Sequence, residues 1–317
     1  MSELFDVVLQ HRHVEGGTIA VLELASATQT ALPSIEAGAH IDVHLPNGLI
    51  RQYSLCQDPQ QAGIFRLGIL RDPESRGGST CAFDQLTPGM HLQVSAPRNL
   101  FPLVDAAHTV LIGGGIGITP LITMAYALLA KGQSFELHYC GSSRERCAFV
   151  EEIEQGPLAA YSTLHFKADG ANHRQHLTEH FSKLSSDSHI YTCGPNGFMD
   201  WVIALAKSNQ FSEQNIHKEY FNVETDVTGD SFEVLAQRSN KIITVAADES
   251  LIDALAREGI KIEKSCEQGV CGTCLCDVLE GEPDHRDVYL TDEEKAENEQ
   301  ILVCCSRSKS PRLVLDI

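Results

Sequence analysis

The 317-residue chain is short of positive charge: 24 Lys+Arg face 43 Asp+Glu, a formal net charge of −19 at pH 7. Such a field repels nucleic acid and anionic membrane and attracts a basic partner. No apolar run approaches the ~18 residues a membrane span needs. The opening MSELFDVVLQHRH has neither the basic stretch nor the apolar core of a secretory signal, so a cytoplasmic protein is expected. Internal repeats and low-complexity tracts are lacking, and so are a Ser-His-Asp pattern and an HExxH motif. The fourteen histidines are scattered along the sequence and read as structural or solvated side chains, His285 among them. What remains is ordinary globular composition, 43% hydrophobic and 21% charged with mean hydropathy −0.12. At this length about two domains of ~150 residues, or three small ones, are expected.

Eleven cysteines are many for a reducing compartment, where clustered thiols more often hold metal or do redox chemistry than form disulfides. Five are scattered (Cys56, Cys81, Cys140, Cys147, Cys193), whereas Cys266, Cys271, Cys274, Cys276, Cys304 and Cys305 crowd the last fifth of the chain. Four residues separate Cys266 from Cys271, two separate Cys271 from Cys274, and twenty-nine separate Cys274 from Cys304. This is the C-x4-C-x2-C spacing, with a distant fourth ligand, of plant-type 2Fe–2S ferredoxins. Gly269 and Gly272 give the loop freedom to wrap a small anionic cluster. Structural zinc is the alternative, but the adjacent Cys304 and Cys305 make a poor chelating hook for one tetrahedral ion. Either of the two is available as the fourth ligand, and the ferredoxin spacing favours Cys304. Cys276 and Cys305 read as small buried side chains.

From about residue 4 to 103, short runs (TIAVLEL, AHIDVHLP, LIRQYSLC, IFRLGILRD, MHLQVSAP) alternate with turn residues, which argues an antiparallel barrel or sandwich. Over 104–226 strand-like and helical runs alternate, as in a parallel α/β sheet. TVLIGGGIGITPLITMAYALLAKG reads as strand, glycine turn and helix, QSFELHYC as a second strand, and HIYTCG as a third before the helix GFMDWVIALAKSN. A polar linker near 222–230 precedes a 227–317 segment with two strands, FEVLAQ and KIITVAA, and a helix capped by Ser250 and stopped by Gly259. The run Gly113-Gly114-Gly115-Ile116-Gly117-Ile118-Thr119-Pro120 stands where backbone N–H groups and a helix dipole hold a pyrophosphate. It departs from G-x-G-x-x-G in having Pro120 at the last place, and no acidic residue follows the second strand. Ser142, Ser143, Arg144 and Arg146 stand there instead, either as solvated loop residues or as acceptors of a 2′-phosphate, which leaves NADPH open beside NADH. Cys193-Gly194-Pro195 ends the third strand, where open parallel sheets bind their ligands. Arg51 and Tyr53, two apart on a strand, pair a phosphate fork with an aromatic platform.

Taken in order, R-Q-Y-S, Arg76-Gly77-Gly78-Ser79, GGGIGITP, CGPNGFMD and the clustered cysteines resemble one family over nearly the whole chain. It is the phthalate dioxygenase reductase type of the ferredoxin–NADP reductase superfamily, with a ferredoxin fused at the C-terminus. RQYSLC, PRNLFPL, CEQGVCGTC, GEPDHRD and CCSR…LVLDI are most similar to reductase subunits of vanillate-type O-demethylase monooxygenases.

The resemblance implies three domains: a flavin-binding antiparallel β-barrel (1–103), an NAD(P)H-binding α/β parallel-sheet domain (104–226) and a β-grasp-like α+β 2Fe–2S ferredoxin domain (227–317). It implies FMN held by Arg51, Tyr53, Ser54, Gly78 and Ser79, with Leu70 flanking the ring and Phe221 covering it, although IHKEYF also offers Tyr220. It implies the nicotinamide nucleotide on Gly113, Gly114, Gly115, Gly117 and Gly194, with Thr119 and Cys193 at the catalytic junction. Cys266, Cys271, Cys274 and Cys304 then ligate the cluster. The implied activity is electron transfer from NADH to a terminal Rieske-type oxygenase, of the aromatic O-demethylase kind. The other readings are a reductase for another acceptor such as a carnitine or haem monooxygenase, a free flavin reductase, and a zinc-containing nucleotide-responsive regulator.

Overall fold

A computed structural model describes residues 3–223 and 225–317. The chain divides into two compact units, Met1–Phe221 and Asn222–Ile317. None of the helices is long and apolar enough to cross a membrane, among the described residues.

The first unit opens with strands β1 (Leu4–Glu15), β2 (Ile19–Ser26), β3 (His40–His44), β4 (Ile50–Ser54) and β5 (Ile64–Leu70). Helix α1 (Gly78–Gln85) and β6 (His91–Ser95) follow. Their antiparallel order is β4-β3-β6-β1-β2-β5. Alternate residues Ala20, Leu22 and Leu24, Ile41 and Val43, and Phe65, Leu67 and Ile69 point inward and are buried together, the period-2 pattern of a half-buried strand. The two edge strands then meet. Leu55 bridges Leu67, Cys56 N donates to Arg66 O at 2.9 Å, and the Gln57 side chain stitches Arg66 N (2.9 Å) to Ile64 O (2.8 Å). That seam closes the sheet into the expected barrel. Two of its elements are absent from the sequence reading: β1, a long strand of mixed and charged residues, and α1, which begins at Gly78 and Ser79, residues expected only to hold the flavin.

The same unit continues with β7 (Thr109–Gly114), α2 (Ile118–Lys131), β8 (Phe135–Gly141) and α3 (Val150–Gln155). Next come β9 (Ser162–Phe166), α4 (His173–Phe181), β10 (His189–Cys193), α5 (Asn196–Ser208) and β11 (Ile216–Glu219). The strands form an all-parallel sheet in the order β11-β10-β7-β8-β9. Leu111, Ile112, Leu137, Ile190 and Tyr191 are fully buried, as strands covered on both faces require. The expected HIYTCG strand is β10. The short β9 and β11 were not anticipated.

The second unit holds β12 (Phe232–Ala236), β13 (Lys241–Val245), α6 (Leu251–Arg257), β14 (Leu275–Glu280) and β15 (Pro283–Asp284). It ends with α7 (Asp292–Glu297), β16 (Gln300–Leu302), β17 (Arg307–Ser308) and β18 (Arg312–Leu315). The sheet order β13-β12-β18-β14-β16 puts β18 parallel to β12, with antiparallel neighbours elsewhere. Leu251, Ala254 and Leu255 of α6 pack on Val234, Ile243, Leu313 and Leu315, a β-grasp-like arrangement. The Ser250 side chain caps α6 by accepting from Asp253 N, and Gly259 follows in the left-handed region. Arg307 is 2% exposed; its guanidinium donates to the carbonyls of Val227, Glu249, Ala246 and Asp230 and fastens the start of the unit to its core.

Candidate functional site

Arg51 and Tyr53 share one face of β4. The Tyr53 hydroxyl is buried without a hydrogen-bond partner among the described residues. Burial raises its pKa against the pull of Arg51, so it stays a neutral donor in need of an acceptor. A Cβ on Gly78 would stand 2.6 Å from Arg51 Nε, so the guanidinium stem crosses the start of α1. No side chain caps that helix start, which follows Gly77 at φ +94°. An uncapped helix start beside a guanidinium is suited to a phosphate. Ser79 Oγ accepts from Asp72 N at 3.2 Å and ties the preceding loop to α1. Leu70, half buried, ends β5.

At the end of β4, Ser54 Oγ donates to Glu219 Oε2 at 3.4 Å. Glu219 ends β11 in register with Cys193, which ends β10 and pairs with Gly113 of β7. Gly113 and Gly114 complete β7, and Gly115 and Gly117 bound the turn into α2. A Cβ on Gly117 would lie 2.3 Å from Cys193 O, so only glycine lets the turn close on the Cys193-Gly194 strand end. Thr119, 2% exposed, donates to Ile116 O at 3.0 Å. Its methyl stands 2.9 Å from where a Cβ on Gly68 of β5 would be. The barrel motif, the glycine turn, Thr119, Cys193 and Glu219 therefore converge where the barrel and the parallel sheet meet. Phe221, the last residue of the unit, stays 36% exposed.

Glu219 was missed by sequence reasoning. Its signal was a charged residue ending IHKE, a run too short and polar to read as a strand. Burial pushes its carboxyl up to about 8, with the Ser54 hydrogen bond opposing. Burial, with Glu219 alongside, also pushes the Cys193 thiol well up, which favours its neutral form.

In the second unit all six clustered cysteines are free and buried, as are the other five. Among them Cys266 touches Cys271, and Cys304 touches both Cys274 and its neighbour Cys305. The hydrogen bond from Cys266 pulls Cys271 down, and those from Cys274 and Cys305 pull Cys304 down. Gln268 N approaches Cys266 Sγ at 3.3 Å. Cys305 Sγ also lies 3.8 Å from both Leu302 O and Ser306 Oγ. Gly272 has φ +71°, and a Cβ there would sit 2.3 Å from Tyr289 Cζ, so the loop between Cys271 and Cys274 tolerates no side chain at this point. Buried thiols in contact in this way suit soft metal ligation.

The comparisons agree with this geometry. A family described as a 2Fe-2S iron-sulfur cluster binding domain matches residues 234–309, and one described as an oxidoreductase FAD-binding domain matches residues 6–102. The chain is 43% identical to the vanillate O-demethylase oxidoreductase of a Pseudomonas species, over 99% of this chain and 100% of that protein. The chain belongs to the vanillate O-demethylase oxidoreductase family. Two solved structures share the architecture of this oxidoreductase. Phthalate dioxygenase reductase, described as modular for electron transfer from pyridine nucleotides to 2Fe–2S, matches with TM-score 0.77 and 34% identity over 99% of this chain and 98% of that one. An intact type IV self-sufficient cytochrome P450 monooxygenase matches with TM-score 0.85 and 33% identity over 99% of this chain and 41% of that one. The oxidoreductase therefore joins a flavin-binding domain to a 2Fe–2S domain and is the reductase component of an oxygenase system.

Proposed function

We propose that this reductase takes electrons from NADH through FMN and a 2Fe–2S cluster to a terminal Rieske-type oxygenase, of the kind that O-demethylates a methoxylated aromatic such as vanillate. The observation that carries the reading is the convergence of the Arg51–Ser54 strand, the glycine turn, Thr119, Cys193 and Glu219 in one unit, with the touching cysteines in the other. When bound, a flavin takes the two electrons of a hydride and releases them singly, and the cluster accepts one at a time.

Arg51 and the α1 start would hold the flavin phosphate, together with Gly78 and Ser79. Tyr53 would lie along the ring, giving its orphaned hydroxyl a partner, with Leu70 flanking and Phe221 covering. A single-phosphate anchor of this kind supports FMN. Gly113, Gly114, Gly115, Gly117 and Gly194 would admit the nucleotide backbone, and Thr119 and Cys193 would wall off water beside the nicotinamide. Glu219, protonated at neutral pH, would fix the Ser54 hydroxyl. Arg144 is held by Glu154 at 2.6 Å and Asp169 at 3.0 Å, which leaves it poorly placed for a 2′-phosphate and supports NADH. Cys266 and Cys271 would hold one iron, Cys274 and Cys304 the other. The modules would span 1–103, 104–226 and 227–317, in a cytoplasm, where clustered thiols serve metal or redox chemistry more often than disulfides.

A haem monooxygenase acceptor is the second reading, favoured by the match inside the cytochrome P450 chain. Reconstitution of turnover with a purified Rieske oxygenase, and its failure with a P450, separates the two. The ligand assignment is tested by substitution. Cys304→Ala is expected to lose cluster absorbance and reduction of one-electron protein acceptors while NADH still bleaches the flavin, and Cys305→Ala to keep both. Full cluster absorbance in Cys304→Ala with loss in Cys305→Ala would overturn that assignment. A purified chain with neither flavin nor cluster absorbance would overturn the whole reading.

A further inference from the structure

Five of the fourteen histidines scattered along the sequence gather in space. His108 just before β7, His138 of β8, His165 of β9, and His176 and His180 of α4 surround Glu136 on one face of the parallel sheet. The fold explains the gathering. Glu136 and His138 are two apart on β8 and project to the same side. His176 and His180 are four apart on α4 and share the helix face turned to the sheet. His180 Nε2 is 2.5 Å from Glu136 Oε1, and His138 Nε2 is 3.6 Å from Glu136 Oε2. The three donor atoms of Glu136, His138 and His180 all lie within 4.8 Å of one another.

His138 carries the argument. It is 2% exposed, and its Nε2, on the Glu136 side, has no hydrogen bond among the described residues. A buried nitrogen left so is costly unless something else takes its lone pair. Its other nitrogen, Nδ1, is 3.1 Å from His165 Nε2. That is how metal-ligating imidazoles are held: the far nitrogen is fixed by a hydrogen bond, which sets the tautomer and aims the near one at the ion. His108 repeats the pattern, with Nδ1 2.8 Å from Ser134 Oγ and Nε2 3.5 Å from Glu136 Oε1.

We propose that Glu136, His138 and His180 bind a zinc-class divalent transition-metal ion, with His165 orienting His138 and His108 lying against Glu136 outside the ligand set. Two imidazoles with one carboxylate suit zinc, whereas magnesium and calcium prefer sites made of oxygen. Glu136 lies near the start of β8, whereas Gly114 and Cys193 end β7 and β10. In a parallel sheet those are opposite ends. The ion is therefore outside the hydride site, and its work is to pin α4 to β8.

The test uses the holoprotein, with flavin and iron–sulfur cluster in place, stripped of loose metal by a chelator and titrated with zinc chloride. One zinc per chain beyond the iron is expected, with nitrogen and oxygen but no sulfur in its X-ray absorption shell, and a higher melting midpoint for the flavin-bearing unit. Glu136→Gln and His180→Ala, both at partly exposed positions, are expected to weaken zinc binding by roughly ten- to hundredfold or more while dye reduction by NADH is unchanged. Sulfur in the shell, no binding at about micromolar free zinc, or undiminished binding in both variants would overturn the site. The shell of the unsubstituted protein decides the matter even where a variant fails to fold.

Discussion

Glu219 shows how much a single buried carboxyl can do. An ordinary glutamate loses its proton near 4.5, whereas burial keeps this one protonated up to about 8. Between those values the folded chain holds a proton that the unfolded chain has released, so stability is fully present below the lower value and is lost as pH rises through the upper one. The melting midpoint of the first unit, read by release of flavin fluorescence, is expected to fall from pH 5 to pH 8. Glu219→Gln, neutral throughout, is expected to flatten that slope and raise the midpoint at pH 8. An unchanged slope in the variant would move the pH dependence to another group. The residue also marks a limit of sequence reading. Cys266, Cys271, Cys274 and Cys304 were legible because ligand spacing is written along the chain, but Glu219 matters through Ser54 and Cys193, which are distant in sequence.

At the scale of elements, long periodic runs such as α2 and α5 were legible. The four- and five-residue strands β11 and β9 were not, because so few residues carry little periodicity. Helix α1 was hidden for another reason: it starts on Gly77-Gly78 with no capping side chain, and the usual start signal is missing. That missing cap leaves the helix dipole and first amides for an outside anion, with Arg51 crossing above. Arg51→Ala is expected to weaken flavin retention by about ten- to hundredfold, because a charge-assisted bond to phosphate contributes roughly 1.5–3 kcal/mol. Equilibrium dialysis measures this, and undiminished occupancy would place the phosphate elsewhere. The histidine cluster was invisible for the same reason as Glu219, since strands and helix meet only in the folded sheet.

Across the whole molecule, the charge is uneven. Residues 227–317 hold nineteen Asp+Glu and ten Lys+Arg, a net of −9 out of −19. Part of this is local: Thr291 and Glu294 form a reciprocal cap on α7, with Thr291 N donating to Glu294 Oε2 at 2.8 Å. Asp292 and Glu293 face water beside it and remain for long-range attraction. Transient electron-transfer encounters favour such steering over large apolar interfaces. The second-order rate to the oxygenase is expected to fall as the Debye length shrinks from ~8 Å at physiological salt toward ~3 Å at 1 M. Flavin reduction by NADH is measured separately as the control. A protein-to-protein rate flat in salt would leave the acidic face without a steering role.

The barrel seam has a consequence for how the molecule opens. Every other neighbouring pair of strands in the sheet is joined by a ladder, but between β4 and β5 the sheet rests on one bridge, one amide bond and the side chains of Gln57 and Arg66. Sub-global opening begins where the fewest bonds must break together. Hydrogen exchange at the Cys56 and Arg66 amides is therefore expected to outrun exchange at Leu22, whose strand is paired on both sides. Because β4 carries Arg51 and Tyr53, bound flavin is expected to slow exchange at the seam more than anywhere else in the barrel, making the seam the door through which the cofactor enters and leaves.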